Sequence, residues 1–134
     1  MDIRTLTPAY AVSPQIDPAD AAAIKAAGFE TVICNRPDAE VPPSHQAEAM
    51  RAAIEAEGMA FVVNPVTHQG LNMEMVEVQK DAAATGRTLA YCASGTRSSI
   101  VWALGQAGEM SADEIIATGA QAGYDLSGLR PRLG

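Results

Sequence analysis

Cys92 and Arg97 bracket Ala93-Ser94-Gly95-Thr96, so a thiol and a guanidinium flank a loop of four small residues, with Ser98 just beyond. Small side chains let the backbone N–H groups of such a loop converge on a common centre. Leu89-Ala90-Tyr91 before it reads as the end of an apolar strand, and the chain from Ser98 through Ile100 reads as the first turn of a helix. A helix N-terminus brings unpaired N–H groups and the positive end of its dipole, which together hold anions. A thiol in that place is expected to ionise more readily, because the thiolate is itself an anion beside those donors. The chemistry to expect is nucleophilic attack by Cys92 on a group whose negative charge is held by Arg97. Backbone groups of Ala93, Ser94, Gly95, Thr96 and Ser98 would share that charge. The plainer alternative is an inert cysteine ending a core strand. Arg97 weighs against it, since a core turn has no use for a guanidinium five residues after the thiol.

The elements that must position this loop follow from the pattern along the chain. Ile3–Leu6 and Tyr10–Val12 around Thr7-Pro8 predict a small hairpin or two short edge strands. Asp17-Pro18 opens a helix that stops at Gly28, an N-cap with proline at the first helical position. Thr31–Asn35 reads as a buried parallel strand, and Arg36-Pro37-Asp38 leads into a proline-containing loop. Ser44 is the expected cap of a second helix ending at Glu57-Gly58, followed by a strand over Ala60–Asn64 and the loop Pro65–Gly70. Asn72 caps a third helix, Thr88–Tyr91 is the next strand, and a helix from Ser98 breaks at Gly108. Ser111 and Glu114 form a capping box for a last helix ending near Gly123, before a short polar tail packed by Leu126 and Leu129.

Three strand–helix units in succession predict an α/β fold in three layers, a mostly parallel central sheet flanked by helices. Ligands in such sheets bind outside the carboxyl ends of the strands. The exits Cys34-Asn35-Arg36, Asn64–Gly70 and Cys92–Arg97 therefore belong to one edge, the expected mouth of the site. The 134 residues are expected to form a single domain with a core of its own. A net charge of −7 with no basic tract argues against nucleic acid and anionic membrane surfaces as partners. Two cysteines do not make a disulfide framework, and no leader or membrane-spanning run is seen, so the expected compartment is the cytoplasm. Metal-ligand spacings, a phosphate-binding Walker loop and a dinucleotide fingerprint are all missing, so no metal and no cofactor is expected.

The loop resembles the active-site loop of single-domain rhodaneses, where a cysteine precedes small residues, a glycine and an Arg-Ser pair. It also resembles the phosphate loop of cysteine-dependent phosphatases. Over nearly the full length, the chain is similar to the phosphatase-like domain of the beta-lactamase-hydrolase-like proteins. Val12-Ser13-Pro14-Gln15, Ile33-Cys34-Asn35-Arg36-Pro37-Asp38, Asn64-Pro65-Val66-Thr67 and the cysteine loop match it in order. The resemblance implies a dual-specificity-phosphatase-like fold, and either phosphate-ester hydrolysis or transfer of sulfane sulfur. It further suggests Arg36 as a second contact of the anion, with Asp38 orienting it or acting as an acid, and Asn35 at the same strand exit is a candidate for the layer of residues behind the site. A surface ion pair is the alternative for Arg36. His68, in the loop at the mouth, is a candidate proton donor, against a solvated loop histidine. Cys34 is a candidate resolving thiol for an oxidised Cys92, against a core role.

Departures from the phosphatase pattern favour sulfur transfer in this reading. Phosphatases place one residue more between cysteine and arginine, and Pro65–Leu71 lacks the aspartate that would protonate a leaving oxygen. A sulfane donor leaves as an acidic thiol or sulfite and needs no strong acid. The expectation is thus a sulfurtransferase working through a Cys92 persulfide. Its partner would be a small donor such as thiosulfate or a persulfide, with a persulfide-oxidising enzyme beside it, as the resemblance suggests. Hydrolysis of a phosphoester through a Cys92 thiophosphate is the alternative. A regulatory domain that binds persulfide or anion without turnover is the third.

Overall fold

The structure, a computed structural model, describes residues 1–67 and 70–133. Short β-branched and apolar runs make five strands: β1 (Arg4–Thr7), β2 (Tyr10–Ser13), β3 (Thr31–Cys34), β4 (Ala60–Val63) and β5 (Thr88–Tyr91). They form one sheet in the order β1-β2-β5-β3-β4. β1 pairs antiparallel with β2 as the hairpin pattern predicts, and β2, β5, β3 and β4 run parallel. Register fixes where these strands stop: Ser13 and Cys34 both lie beside Tyr91, and Val63 lies beside Cys34. Four parallel strands therefore release the chain at one level. The fourth exit, Pro14-Gln15 after β2, was hidden in the sequence by the weak alternation of the hairpin.

Alternation along the strands divides the core into two layers. Val12, Ile33 and Ala90 face one way and pack with Val76, Val101, Trp102, Leu104, Ile115, Leu126 and Leu133. These come from α3 (Met73–Ala83), α4 (Thr96–Gln106), α5 (Ala112–Gln121), α6 (Arg130–Leu133) and the turn before α6. Ala11, Val32, Cys34, Leu89 and Tyr91 face the other way, onto Ile24 of α1 (Ala21–Ala26) and Met50 and Ile54 of α2 (Ala47–Ala56). The expected three-layer α/β architecture is what the chain adopts. α4 is the central helix, with Arg97, Ser98, Ser99, Val101, Trp102, Ala103, Leu104 and Gly105 all buried. A helix enclosed on every side needs no polar face, which is why its sequence carries no amphipathic stripe.

Helix starts differ from expectation in three places. Asp17 does cap, but it opens a single 3-10 turn, Pro18–Asp20, from which α1 continues. Ser44 sits in another 3-10 turn, Pro43–His45, and caps nothing in α2. The cap of α2 comes from Asp38, whose Oδ1 accepts the Ala47 N–H at 2.8 Å from nine residues upstream. α4 begins at Thr96, earlier than Ser98, because Gly95 in the left-handed region (φ +95°) takes the cap position. Arg97 thus belongs to the first helical turn. No helix among the described residues is long and apolar enough to cross a membrane.

Candidate active site

Three carbonyls of the cysteine loop accept hydrogen bonds from the surrounding chain. Ala93 O accepts the Gln15 N–H at 3.2 Å, and Ser94 O accepts the Tyr124 hydroxyl at 3.0 Å. Gly95 O accepts both the Ser99 N–H at 3.0 Å and the Ser99 hydroxyl at 2.8 Å. Of the loop amides, that of Thr96 donates to Ser94 Oγ at 3.3 Å. The Gly95 N–H donates to Cys92 Sγ at 3.1 Å, and the amides of Ala93, Ser94, Arg97 and Ser98 have no protein acceptor among the described residues. Such a set of donors at a helix N-terminus makes a candidate anion site.

Arg97 completes it, and its fork is already in use. Nη1 donates to Glu40 Oε2 at 2.8 Å and to Val66 O at 2.8 Å, while Nη2 donates to Glu40 Oε1 at 2.7 Å. Hydrogen bonding to Glu40 raises the pKa of Arg97 further, against a smaller opposing effect of burial, with the nearby Cys92 adding to the rise. The four-residue spacing therefore still brings the guanidinium beside the sulfur. Cys92 itself is fully buried. Arg36 reaches the same carboxylate, with Nε 3.4 Å from Glu40 Oε1, Nη2 on Glu40 O at 3.2 Å and Nη1 on Gln15 Oε1 at 3.2 Å. An anionic substrate that takes the fork must displace Glu40 from it.

Glu40 escaped the sequence reading. Its signal was present: a carboxylate four residues after Arg36 in a loop at the mouth. Hydrogen bonding to Arg97 holds its carboxyl below the usual glutamate range, with Arg36 adding to the effect. A lowered folded pKa contributes stability that is complete above the unfolded value of about 4.3 and is lost as pH falls through the folded one. Wild-type stability is expected to drop on acidification below about pH 4.3, more steeply than that of Glu40→Gln. Urea unfolding at a series of pH values measures this, and parallel slopes would show that the pair does not survive in solution.

Beneath the loop, buried amides and hydroxyls tie the strand exits to α3 and α4. The Ser98 hydroxyl donates to Asn35 Oδ1 at 2.8 Å, and Asn35 Nδ2 donates to Asn64 O at 2.9 Å and Gln79 Oε1 at 2.6 Å. Asn64 Nδ2 donates to Met75 O at 2.9 Å, and Gln79 passes a hydrogen bond to the Tyr10 hydroxyl. A fully satisfied buried network rigidifies the elements it joins. Asn35 is thus a support of α4 two residues from the loop, and the Ser98 side chain faces inward. Any share Ser98 takes in anion binding falls to its N–H.

The remaining expected residues are dispersed. Asp38 is spent on the cap of α2 and does not meet Arg36, which turns to Glu40 instead. Cys34 donates from Sγ to Arg36 O at 3.3 Å, shares a sheet face with Tyr91, and has its pKa raised by burial. His68 lies outside the described residues. Ala93, Ser94 and Thr96 are exposed at the mouth. No group of three or more metal-type side chains occurs among the described residues.

Parallel sheet, enclosed α4 and a cysteine at the sheet edge under an arginine define an α/β fold of the cysteine-phosphatase-like class. Pseudomonas aeruginosa TpbA, solved in complex with pTyr, shares this fold at a TM-score of 0.64 and 13% identity, over 98% of this chain and 90% of that one. A phosphatase candidate from Neisseria meningitidis Z2491 is far nearer: 36% identical, with a TM-score of 0.85 over 99% of this chain and 96% of its own. The family described as "Beta-lactamase hydrolase-like protein, phosphatase-like domain" matches residues 2–109, and the chain belongs to it. Beta-lactamase hydrolase-like protein of Xylella fastidiosa (strain Temecula1) is 34% identical over 103 residues, 74% of this chain and 24% of that protein. The chain spans about a quarter of the length of the curated relatives it matches.

Proposed function

We propose that this chain is a single-domain, cysteine-dependent phosphomonoester hydrolase. Cys92 would attack phosphorus, forming an S–P bond as the P–O bond to the leaving group breaks. Water then attacks the thiophosphate, the S–P bond breaks, and inorganic phosphate departs with the thiolate restored. The observation that carries this reading is the loop itself, with the carbonyls of Ala93, Ser94 and Gly95 held by donors, the Gly95 N–H on Cys92 and Arg97 near the same sulfur. Loop N–H groups and a guanidinium are the donors that stabilise a phosphoryl group in transfer. The nearness of the Neisseria phosphatase candidate and the shared fold of a pTyr-binding protein support the same reading. They also move sulfur transfer, the leading expectation from sequence, to second place. The unpaired cysteines suit a reducing compartment such as the cytoplasm.

Substrate class follows from the acids at hand. Among the described residues, Asp38 is occupied as a cap and Glu40 is held ionised by Arg97, so neither carboxyl is placed to protonate a leaving oxygen. Aryl esters, whose phenolate leaves with little protonation, should be hydrolysed, and alkyl esters should not. Turnover of p-nitrophenyl phosphate is expected to exceed that of phosphoserine by at least about 100-fold, the usual worth of a general acid. Equal rates on the two would show an acid that this geometry does not supply.

Sulfur transfer stays as a second reading on one observation, the four-residue spacing between Cys92 and Arg97. Cys92 would attack the sulfane sulfur of thiosulfate or a persulfide, releasing sulfite or a thiol, and pass that sulfur to an acceptor thiol. A persulfide-oxidising enzyme would then be its partner. One residue inserted after Thr96 restores phosphatase spacing, and on this second reading it depresses sulfur transfer while improving phosphate binding.

A further inference from the structure

The Ser94–Gly95 peptide unit is held at both of its polar ends. Its N–H, on Gly95, donates to Cys92 Sγ at 3.1 Å, and its C=O, on Ser94, accepts the Tyr124 hydroxyl at 3.0 Å. Gly95 sits at φ +95°, a conformation in which glycine readily lets the preceding peptide plane turn over. If that plane flipped, a carbonyl oxygen would face the sulfur in place of a donor. From these contacts we propose that Tyr124 is a positioning residue for the nucleophile: its hydroxyl locks the Ser94–Gly95 peptide so that the N–H stays on Cys92. This rests on Cys92 being the nucleophile.

Tyr124 is itself set in place by contacts from the opposite end of the chain. It follows α5, whose last turn closes through the Tyr124 N–H on Gly119 O at 2.8 Å. The Arg4 guanidinium of β1 covers its ring at 5.2 Å and donates to Ala122 O at 3.0 Å. The phenol also lies against Gly95, where any Cβ would collide with it. Glycine at 95 thus serves the close approach as well as the left-handed turn. The phenol is buried, and burial raises its pKa, so it remains a hydroxyl that can donate. A donated bond at the carbonyl also polarises the same peptide, strengthening its N–H as a donor to the thiolate. Tyr124 lies beyond the residues that the family description covers, 2–109, so this part of the site is supplied by the C-terminal segment.

Tyr124→Phe removes the hydroxyl and keeps the ring. Losing one hydrogen bond at the loop is expected to slow Cys92 alkylation by iodoacetamide at neutral pH about fivefold, and to speed Gly95 amide exchange by a similar factor. The alkylation profile should move to higher pH, and kcat on p-nitrophenyl phosphate should fall more than KM changes. The melting temperature should stay close to wild type. Arg4→Met, which loosens the ring without touching the hydroxyl, should move alkylation and exchange the same way by less. It serves in place of Tyr124→Phe should that variant fold poorly. Wild-type alkylation profile and Gly95 exchange in the variant would overturn the proposal. If instead Cys92→Ser retains turnover, the nucleophile reading itself fails, a result that alkylation of Tyr124→Phe cannot mimic.

Discussion

Cys92→Ser is expected to lower turnover of p-nitrophenyl phosphate by about 10⁴-fold or more, the loss typical when a covalent nucleophile is removed. Serine keeps an acceptor for the Gly95 N–H and fills nearly the same volume, so the buried position is preserved. What it loses is nucleophilicity, because a hydroxyl is a far weaker nucleophile than a thiol. Phosphate should still bind, since the loop amides and Arg97 are untouched. The variant should therefore separate binding from chemistry: kcat is lost, and competition by inorganic phosphate is retained. A circular dichroism spectrum and melting temperature near wild type would show that the loss is chemical.

Arg97→Lys is expected to lower kcat/KM by about 10²–10³-fold, the range for removing one preorganised donor to a transition-state oxyanion. The charge survives, but the planar fork does not. In the resting site that fork serves two acceptors at once, with Nη1 on Val66 O and both Nη1 and Nη2 on Glu40. An ammonium cannot reproduce that geometry, so Val66 O loses its donor and Glu40 its bidentate partner. The loss should appear in both phosphate affinity and kcat, measured by competition and by initial rates. A rate within twofold of wild type would place the guanidinium outside the reaction, as the mere partner of Glu40.

Much of the scaffold was legible because its signals are local. Thr31–Cys34 and Thr88–Tyr91 are runs that only a doubly covered strand tolerates, and two such strands joined through helices must be parallel. The loop between Cys92 and Arg97 was equally plain, being one contiguous string. What escaped depends on contacts between distant residues. The Asp38 cap of α2 replaces a local serine with a side chain nine residues away. The Tyr124 bond to Ser94 spans 30 residues and leaves no periodic trace. Glu40 carried one local signal, its place four residues after Arg36, and only the folded loop sets it on Arg97, which lies 57 residues further on. Asn35 and Ser98, expected near the anion, turned out to serve the frame: their side chains meet each other under the loop.

Rapid-quench mass spectrometry of the intact protein, mixed with p-nitrophenyl phosphate, tests most directly whether Cys92 takes up the phosphoryl group. Nucleophilic attack by Cys92 predicts a transient gain of one phosphoryl group, located on Cys92 by peptide mapping and missing from Cys92→Ser. The same protein mixed with thiosulfate should then show little added sulfur by comparison. An unmodified Cys92 during steady turnover, or a phosphoryl group carried by another residue, would contradict it.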